Sequence, residues 1–368
     1  MVFLIALLLF APPAPKAHRP AGPAFEQVSR KAGVARAAND LEAAVALYQH
    51  AVKLNPEWAE GWYYIATIQY DRDHFADARD AFRKLLPLTP NDGVSWALLG
   101  LCEFQTKEYE LALEHIAHGL QVGPGTSEQL IRVALYHYAM LLTHAGRFEE
   151  AIQQVRKLSA VVSDDRQVTV VTGLAALRRP LLPSQVQPQD AELVMAAGRA
   201  VYDSLARRPA EARRDMEGLV AKYPTVPNVH YIYGSYLMYE NPELALKELK
   251  KELEISPDNV PAMADIAIEL LRTDDAEAAF PYARKLVDLD PKSFVAHNIY
   301  GRALMSTGDF KAGLAELEYA VKLAPDSPQT YAVLATAYAK AGRRDDAAKA
   351  RAEFLRLKKL ADGTDTVQ

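Results

Sequence analysis

The amino-acid sequence predicts an all-α fold built from repeated helix pairs. Two observations support this prediction: prolines return at a fixed interval, and small residues return at two fixed points within it. Prolines stand 34 residues apart at positions 56, 90 and 124, and again at positions 257, 291 and 325. A fixed interval of this size is typical of stacked supersecondary units.

Each interval contains two helical stretches. For example, "SFVAHNIYGRALMSTG" predicts a first helix that ends at Gly308, and "FKAGLAELEYAVKLAP" predicts a second helix that ends near Pro325. Gly146 and Gly342 follow other helical runs, where a left-handed residue closes the helix. Proline cannot donate to the helical ladder, so the recurring proline ends the second helix and begins the turn to the next unit.

Small residues occupy the middle of each predicted first helix and the early part of each second helix. Two helices approach to about 8–10 Å only where the contact point is small. The first set is Ala66, Gly100, Ala139, Gly234, Ala267, Gly301 and Ala335. The second set is Ala44, Ala78, Ala112, Ala151, Ala245, Ala279, Gly313 and Ala347.

With these residues in place, the sequence resembles the tetratricopeptide repeat (TPR) family. The residues that match its first-helix signature are Trp62, Ala66, Trp96, Leu99, Gly100, Tyr300, Gly301, Leu334 and Ala335. Those that match its second-helix signature are Ala78, Phe82, Ala112 and Ala320, together with the prolines. The resemblance covers roughly residues 25 to 360 and implies an all-α TPR solenoid, a right-handed superhelix of about nine antiparallel helix pairs with a break near the middle.

The break lies where the register slips, because Pro124 and Pro224 are 100 residues apart, two fewer than three full intervals. The first half of residues 163–190 predicts one unpaired helix capped by Ser163 or Asp164, and the proline-rich second half predicts a loop. The predicted organisation is a leader and spacer at 1–24, a TPR block at 25–163, an irregular break at 164–189, a second TPR block at 190–361 and a disordered tail at 362–368. We expect the two blocks to meet at a kink.

The N-terminus begins with the apolar run Val2–Phe10, followed by an Ala/Pro-rich stretch. The run is too short to span a bilayer but fits the apolar part of a signal peptide, although no Lys or Arg precedes it and prolines obstruct the usual cleavage pattern. The prediction is an exported protein, periplasmic or secreted, with membrane contact only through this leader if it is retained. The alternative is a cytoplasmic protein with an adhesive N-terminus.

Composition and motifs argue against an enzyme and against a cofactor. The net charge of −5 gives no electrostatic drive toward nucleic acid. Cys102 is the one cysteine, which excludes a disulfide framework and a multi-cysteine metal site and predicts a core residue. His115 and His118 share a helical face but lack a third ligand nearby, so no metal site is predicted. The alternative of a hydrolase that uses scattered histidines would show metal dependence or turnover.

The predicted functional surface is the concave face, which the first helices of a solenoid line. The inward positions are Tyr63, Thr67, Tyr70, Ala97, Leu101, Phe104, Tyr136, Met140, Tyr231, Ser235, Met238, Asn298, Arg302 and Thr336. In chaperone-binding TPR domains this face carries a Lys/Asn clamp for an acidic peptide terminus, but the matching positions here are mostly Tyr, Ala or Leu, so that activity is not carried over.

An aromatic-lined channel suits an apolar protein or peptide segment. The predicted function is therefore a non-enzymatic protein-binding scaffold. The alternative for the lining residues is that several simply pack against the neighbouring first helix. The alternative for the protein is a self-assembling, homo-oligomeric TPR protein.

Overall fold

A computed structural model describes residues 22–161 and 165–361, and these residues form nineteen α-helices and no strand. The all-α prediction is confirmed. The helices are α1 Pro23–Ala37, α2 Leu41–Leu54, α3 Ala59–Asp71, α4 Phe75–Leu85, α5 Gly93–Gln105, α6 Tyr109–Val122, α7 Glu128–His144, α8 Phe148–Ser159, α9 Arg166–Ala176, α10 Ala191–Leu205, α11 Pro209–Lys222, α12 Val229–Leu237, α13 Pro242–Ile255, α14 Val260–Arg272, α15 Ala276–Leu289, α16 Phe294–Ser306, α17 Phe310–Leu323, α18 Pro328–Lys340 and α19 Arg344–Ala361. The apolar run of the leader, the predicted caps Ser163 and Asp164, and the predicted tail lie outside the described residues.

Helices that follow one another in sequence pack as pairs. Within the described residues the nine most closely packed pairs are α1 with α2, α3 with α4, α5 with α6, α7 with α8, α9 with α10, α12 with α13, α14 with α15, α16 with α17, and α18 with α19. The chain divides into two compact units, the first ending at Ala212 and the second beginning at Arg213. The predicted block boundaries at residues 163 and 190 remain a prediction.

A left-handed residue follows the first helix of most pairs. The predicted glycines Gly146, Gly308 and Gly342 take φ values of 75°, 99° and 75°. Other repeats use a non-glycine residue at the same point, and the φ values of Asp73 and Lys107 are 59° and 66°. The left-handed residue therefore recurs at the repeat interval whether or not glycine supplies it, and glycine content alone underestimates how many turns share this geometry.

The recurring proline has a second role in the structure, because its carbonyl oxygen accepts a hydrogen bond from an aromatic ring six residues later. Trp96 Nε1 donates to Pro90 O at 2.9 Å. The equivalent bonds join Trp62 to Pro56 at 2.8 Å, His230 Nε2 to Pro224 at 2.9 Å, and His297 Nε2 to Pro291 at 3.0 Å. Each bond satisfies a carbonyl close to a helix end and ties the turn to the next first helix.

The predicted small positions lie where paired helices cross. Ala66, Ala78, Ala112 and Ala151 are fully buried. A Cβ added to Gly301 would lie 2.8 Å from the carbonyl oxygen of Gly313, closer than real Cβ atoms come. These crossings confirm the register read from the sequence.

The irregular segment differs from its prediction in two respects. The predicted helix is present as α9, but its N-cap is Asp165, whose Oδ1 accepts hydrogen bonds from the backbone N–H groups of Gln167 and Val168. α9 ends at Ala176, a left-handed Arg178 follows it as in other first helices, and two short 3₁₀ turns stand in place of a second helix. The expectation of an unpaired helix is wrong, because α9 packs against α10, a first helix of the next repeat.

Candidate partner-binding surface

The structure separates the predicted concave residues into two groups by exposure. Buried ones are Tyr63 (2%), Thr67 (2%), Tyr70 (8%), Ala97 (0%), Leu101 (3%) and Met140 (4%). Phe104, Tyr136, Tyr231, Ser235, Met238, Asn298 and Arg302 are half-buried, and Thr336 is exposed. The buried group fills the interior of the first unit, which agrees with the packing alternative for these positions. The binding role of the accessible group stays a prediction.

In the first unit the accessible aromatic residues are occupied by packing. Phe104 lies edge-on to His137, with ring centres 4.9 Å apart, and it also contacts Tyr109. Tyr136 lines a cleft of about 20 Å³ between α7 and the start of α9, and burial raises the pKa of its phenol to about 12. A cleft of this volume holds a single water at most. The cleft at Tyr136 is therefore shallow.

In the second unit the first helices present a longer row of accessible side chains. Arg302 on α16 and Thr336 on α18 occupy equivalent positions one repeat apart. Ile268 on α14 stands 34 residues before Arg302 and is 36% exposed, which is high for an isoleucine inside a helix pair. The sequence analysis missed Ile268, although counting back one repeat from Arg302 identifies it.

The row continues into a groove of about 550 Å³ in the second unit, next to α16 and α18. Its apolar lining is Leu271, Met305, Leu317, Ala332, Val333 and Ala337. Its polar lining is Asp274, Arg302, Ser306, Thr336 and Lys340. The groove brings together two predicted residues, Arg302 and Thr336. Its volume lies within the usual range of ligand-binding pockets.

Arg302 is the unusual group in this groove. Its guanidinium is half-buried, it makes no hydrogen bond or ion pair with any residue of the described ranges, and burial lowers its pKa. By contrast, Arg272 on α14 pairs with Glu269 through two hydrogen bonds of 2.7 and 2.5 Å. A positive charge without a counter-charge in a partly desolvated groove is an electrostatic cost to the folded chain.

A second titratable group lies near the same row of helices. Burial raises the pKa of the Asp265 carboxyl on α14 to about 6, and a hydrogen bond from the Ser235 side chain on α12 partly offsets that rise. The row therefore contains a carboxyl whose charge changes at mildly acidic pH.

Other polar clusters serve the packing of the helix pairs. Glu103 is completely buried and meets Arg83 at 2.8 Å and His115 at 2.6 Å. His115 and His118, which the sequence places on one face, both pack against the Trp96 ring. Burial raises the pKa of the Cys102 thiol, which is fully buried. These contacts give Glu103, the two histidines and Cys102 a role in packing.

Neither a metal-binding cluster nor a membrane-spanning helix occurs among the described residues. No group of three or more His, Cys, Asp or Glu side chains in residues 22–161 and 165–361 is arranged to hold a metal ion. None of the described helices combines the length and apolar character that crossing a membrane requires.

A stack of helix pairs with a 34-residue interval defines the class of helical repeat proteins. The family model described as Tetratricopeptide repeat matches residues 30–93 and 262–328. The resemblance to the tetratricopeptide repeat family is therefore confirmed over these two regions. The fold of the chain is the all-α TPR solenoid, and the nineteen helices of the described residues are consistent with the predicted number of about nine repeats.

The comparison with solved structures finds several that are similar to parts of this chain. A MamA RS-1 ArsTM double mutant is 18% identical, with 47% of this chain and 97% of that chain covered and a TM-score of 0.42. MamA 41-end from Desulfovibrio magneticus RS-1 is 20% identical, with 48% and 98% covered and a TM-score of 0.40. The APC/C hetero-tetramer Cut9–Hcn1 is 15% identical, with 91% and 66% covered and a TM-score of 0.40. A comparison with curated proteins gives no significant match.

Proposed function

We propose that this protein is a non-enzymatic scaffold that binds an apolar segment of a partner protein along the first helices of its second unit. The observation that supports the proposal is the accessible row of Ile268, Arg302 and Thr336 with the groove of about 550 Å³ beside it. Helical repeat proteins use such first-helix rows as extended binding surfaces.

The binding mechanism is preorganisation. Asn259 caps α14 and Ser293 caps α16. Their side-chain oxygens accept hydrogen bonds from the backbone N–H groups of Ala262 and Ala296, at 3.1 and 3.2 Å. Each helix therefore holds its side chains in place before a partner arrives. Little conformational entropy is lost on binding, so a modest apolar contact area yields useful affinity.

A photo-crosslinking amino acid at position 336 tests the proposal. Thr336 is exposed at the groove, so a bound segment lies within reach of its side chain. The matched control is position 319 on the second helix α17, where Tyr319 is 42% exposed away from the row. We expect protein adducts in cells from position 336 and none from position 319. Equal labelling from both positions would contradict a specific surface.

Position 136 provides the corresponding test for the first unit. Tyr136 lies at the shallow cleft, so adducts from this position would extend the partner-binding surface to α7. Their absence, with adducts at position 336, would restrict binding to the second unit.

Self-assembly is the second candidate, and the last helix favours it. Leu355 and Leu360 on α19 are 51% and 52% exposed. Exposed leucines on one helix are a site where a second copy can pack, because the contact removes their apolar surface from water. Light scattering of the full chain tests this candidate: a mass that does not change with concentration and equals one chain would exclude it.

We also propose that the protein is exported, on the support of the apolar run Val2–Phe10 and the Ala/Pro-rich stretch after it. Fractionation of cells that produce the full chain, followed by mass measurement of the purified product, tests this proposal. An intact chain found only in the cytoplasm would contradict it and favour the cytoplasmic alternative.

A further inference from the structure

The groove of the second unit holds a charge without a counter-charge. The Arg302 guanidinium is half-buried on α16 and has no hydrogen-bond or ion-pair partner among residues 22–161 and 165–361. Five polar residues line the groove, and the carboxylate among them, Asp274, does not reach Arg302. A folded chain usually pairs such a group or leaves it fully in water.

We propose that this groove receives an acidic side chain, Asp or Glu, from within an otherwise apolar partner segment, and that the carboxylate pairs with Arg302. This inference rests on the proposed function and adds the chemistry of the partner. The guanidinium offers a planar set of N–H donors that matches the two oxygens of a carboxylate.

The remaining lining of the groove agrees with this occupant. Leu271, Met305 and Val333 provide apolar walls that would contact the stem of the acidic side chain and its apolar neighbours. Lys340 adds a second positive charge at the exposed end of α18. Desolvation by a bound segment would strengthen the attraction between Arg302 and a carboxylate, since the interaction energy rises as the local dielectric falls.

The acidic group is assigned to a side chain rather than to a chain terminus. The row of first-helix residues continues beyond the groove to Ile268 on α14, to Tyr231 on α12 and to Met238 at the C-cap of α12. A segment that occupies the whole row therefore continues past Arg302 instead of ending there.

The experiment is a selection of random dodecapeptides against the full chain, followed by affinity measurements on synthetic peptides by fluorescence anisotropy. We expect selected peptides to carry one internal Asp or Glu among apolar residues. Changing that acid to its amide, or changing the protein by Arg302→Gln, should each weaken binding about tenfold or more, and the two changes together should weaken it no further. Arg302→Glu should reverse the preference toward peptides with Lys or Arg.

Two controls separate the possible outcomes. Arg272→Gln removes a guanidinium that already pairs with Glu269, so it should leave peptide affinity unchanged. Arg302→Lys keeps the charge and should retain part of the affinity, and circular dichroism of each variant reports folding. Peptides that bind equally well to Arg302→Gln would overturn this inference while keeping the proposed function.

Two other results would also count against the inference. A requirement for a free C-terminal carboxylate, tested by amidating the peptide ends, would overturn the assignment to a side chain. Failure to select any peptide that binds the wild-type chain would count against the proposed function itself and so against this inference.

Discussion

Gly173 on α9 and Gly198 on α10 lie where the two helices cross, and neither position has room for a side chain. A Cβ on Gly173 would lie 1.9 Å from the carbonyl oxygen of Val194, and a Cβ on Gly198 would lie 2.0 Å from that of Thr169. At each glycine, the backbone of the opposite helix occupies the space that a side chain would need. This contact is why α9, which has no second helix of its own, still packs as a full member of the unit.

The first prediction concerns this crossing. Gly173→Ala or Gly198→Ala should lower the free energy of unfolding of the first unit by about 1–3 kcal/mol, because the added methyl group forces the two backbones apart. Urea unfolding followed by circular dichroism measures the loss, and hydrogen exchange of α9 and α10 locates it.

Gly33→Ala is the matched control. Gly33 lies inside α1 of the same unit with open space around its added Cβ. Alanine should stabilise that helix by about 0.5–1 kcal/mol. A similar loss at all three positions would contradict the close crossing.

The second prediction concerns the hydrogen bond to the proline carbonyl. Trp96→Phe should destabilise the first unit by about 0.5–1.5 kcal/mol, because it removes the N–H that Pro90 O accepts and keeps an aromatic ring. His230→Phe should cost the second unit more, because it also removes the contact of His230 with the buried Glu248. Thermal unfolding compares the two variants. An unchanged melting temperature in Trp96→Phe would show that the hydrogen bond contributes nothing to stability.

The third prediction is a pH dependence in the second unit. Burial raises the pKa of Asp265 from 3.8 to about 6, so between these values the folded state binds more protons than the unfolded state. The free energy of unfolding should therefore fall as the pH rises from about 4 to about 6. Asp265→Asn should remove this decrease, and urea titrations of both proteins across that range measure it.

The fourth prediction has the opposite sign in the first unit. Burial lowers the pKa of His137 from 6.5 to about 4, and its Nδ1 lies 2.8 Å from the carbonyl oxygen of Val133. Here the unfolded state binds more protons between about pH 4 and 6.5, so the stability present above this window is lost on acidification. His137→Phe should flatten the dependence. A variant that still loses stability between these pH values would assign the effect to another group.

The fifth prediction separates packing from binding among the tyrosines. Tyr63 is 2% exposed, so Tyr63→Ala should lower the free energy of unfolding by about 3–5 kcal/mol, the range for deleting a buried ring. Tyr136→Ala should cost less, because Tyr136 is half-buried at the edge of a cleft. Equal losses of stability in the two variants would place Tyr136 in the interior as well.

Much of the repeat architecture could be predicted because the signals that specify it are local. A proline or a left-handed residue ends a helix within one turn of its own position, and a small residue permits a close helix contact at its own position. Gly308 therefore closes α16 and Gly301 meets α17 as the sequence analysis expected. The cap of α9 was placed one or two residues too early, because Ser163, Asp164 and Asp165 are adjacent residues that all favour a helix start.

The candidate site was less predictable because exposure depends on neighbouring helices. Leu101 and Arg302 both lie on first helices and were both predicted to face inward, yet the packing around α5 buries Leu101 while Arg302 lines a groove. An isoleucine such as Ile268 would be expected in the core from its apolar side chain. Only the packing around it shows that it is accessible to solvent.

The sequence by itself determined that the chain forms helix pairs, where each pair turns and which small residues meet, since each of these follows from residue type and a 34-residue spacing. Only the tertiary structure decided that α9 packs on α10 through two glycines and that Arg302 has no counter-charge within the described residues. The physical reason is that helix signals act over a few residues, whereas burial and charge pairing depend on atoms of neighbouring helices that lie tens of residues away in the sequence.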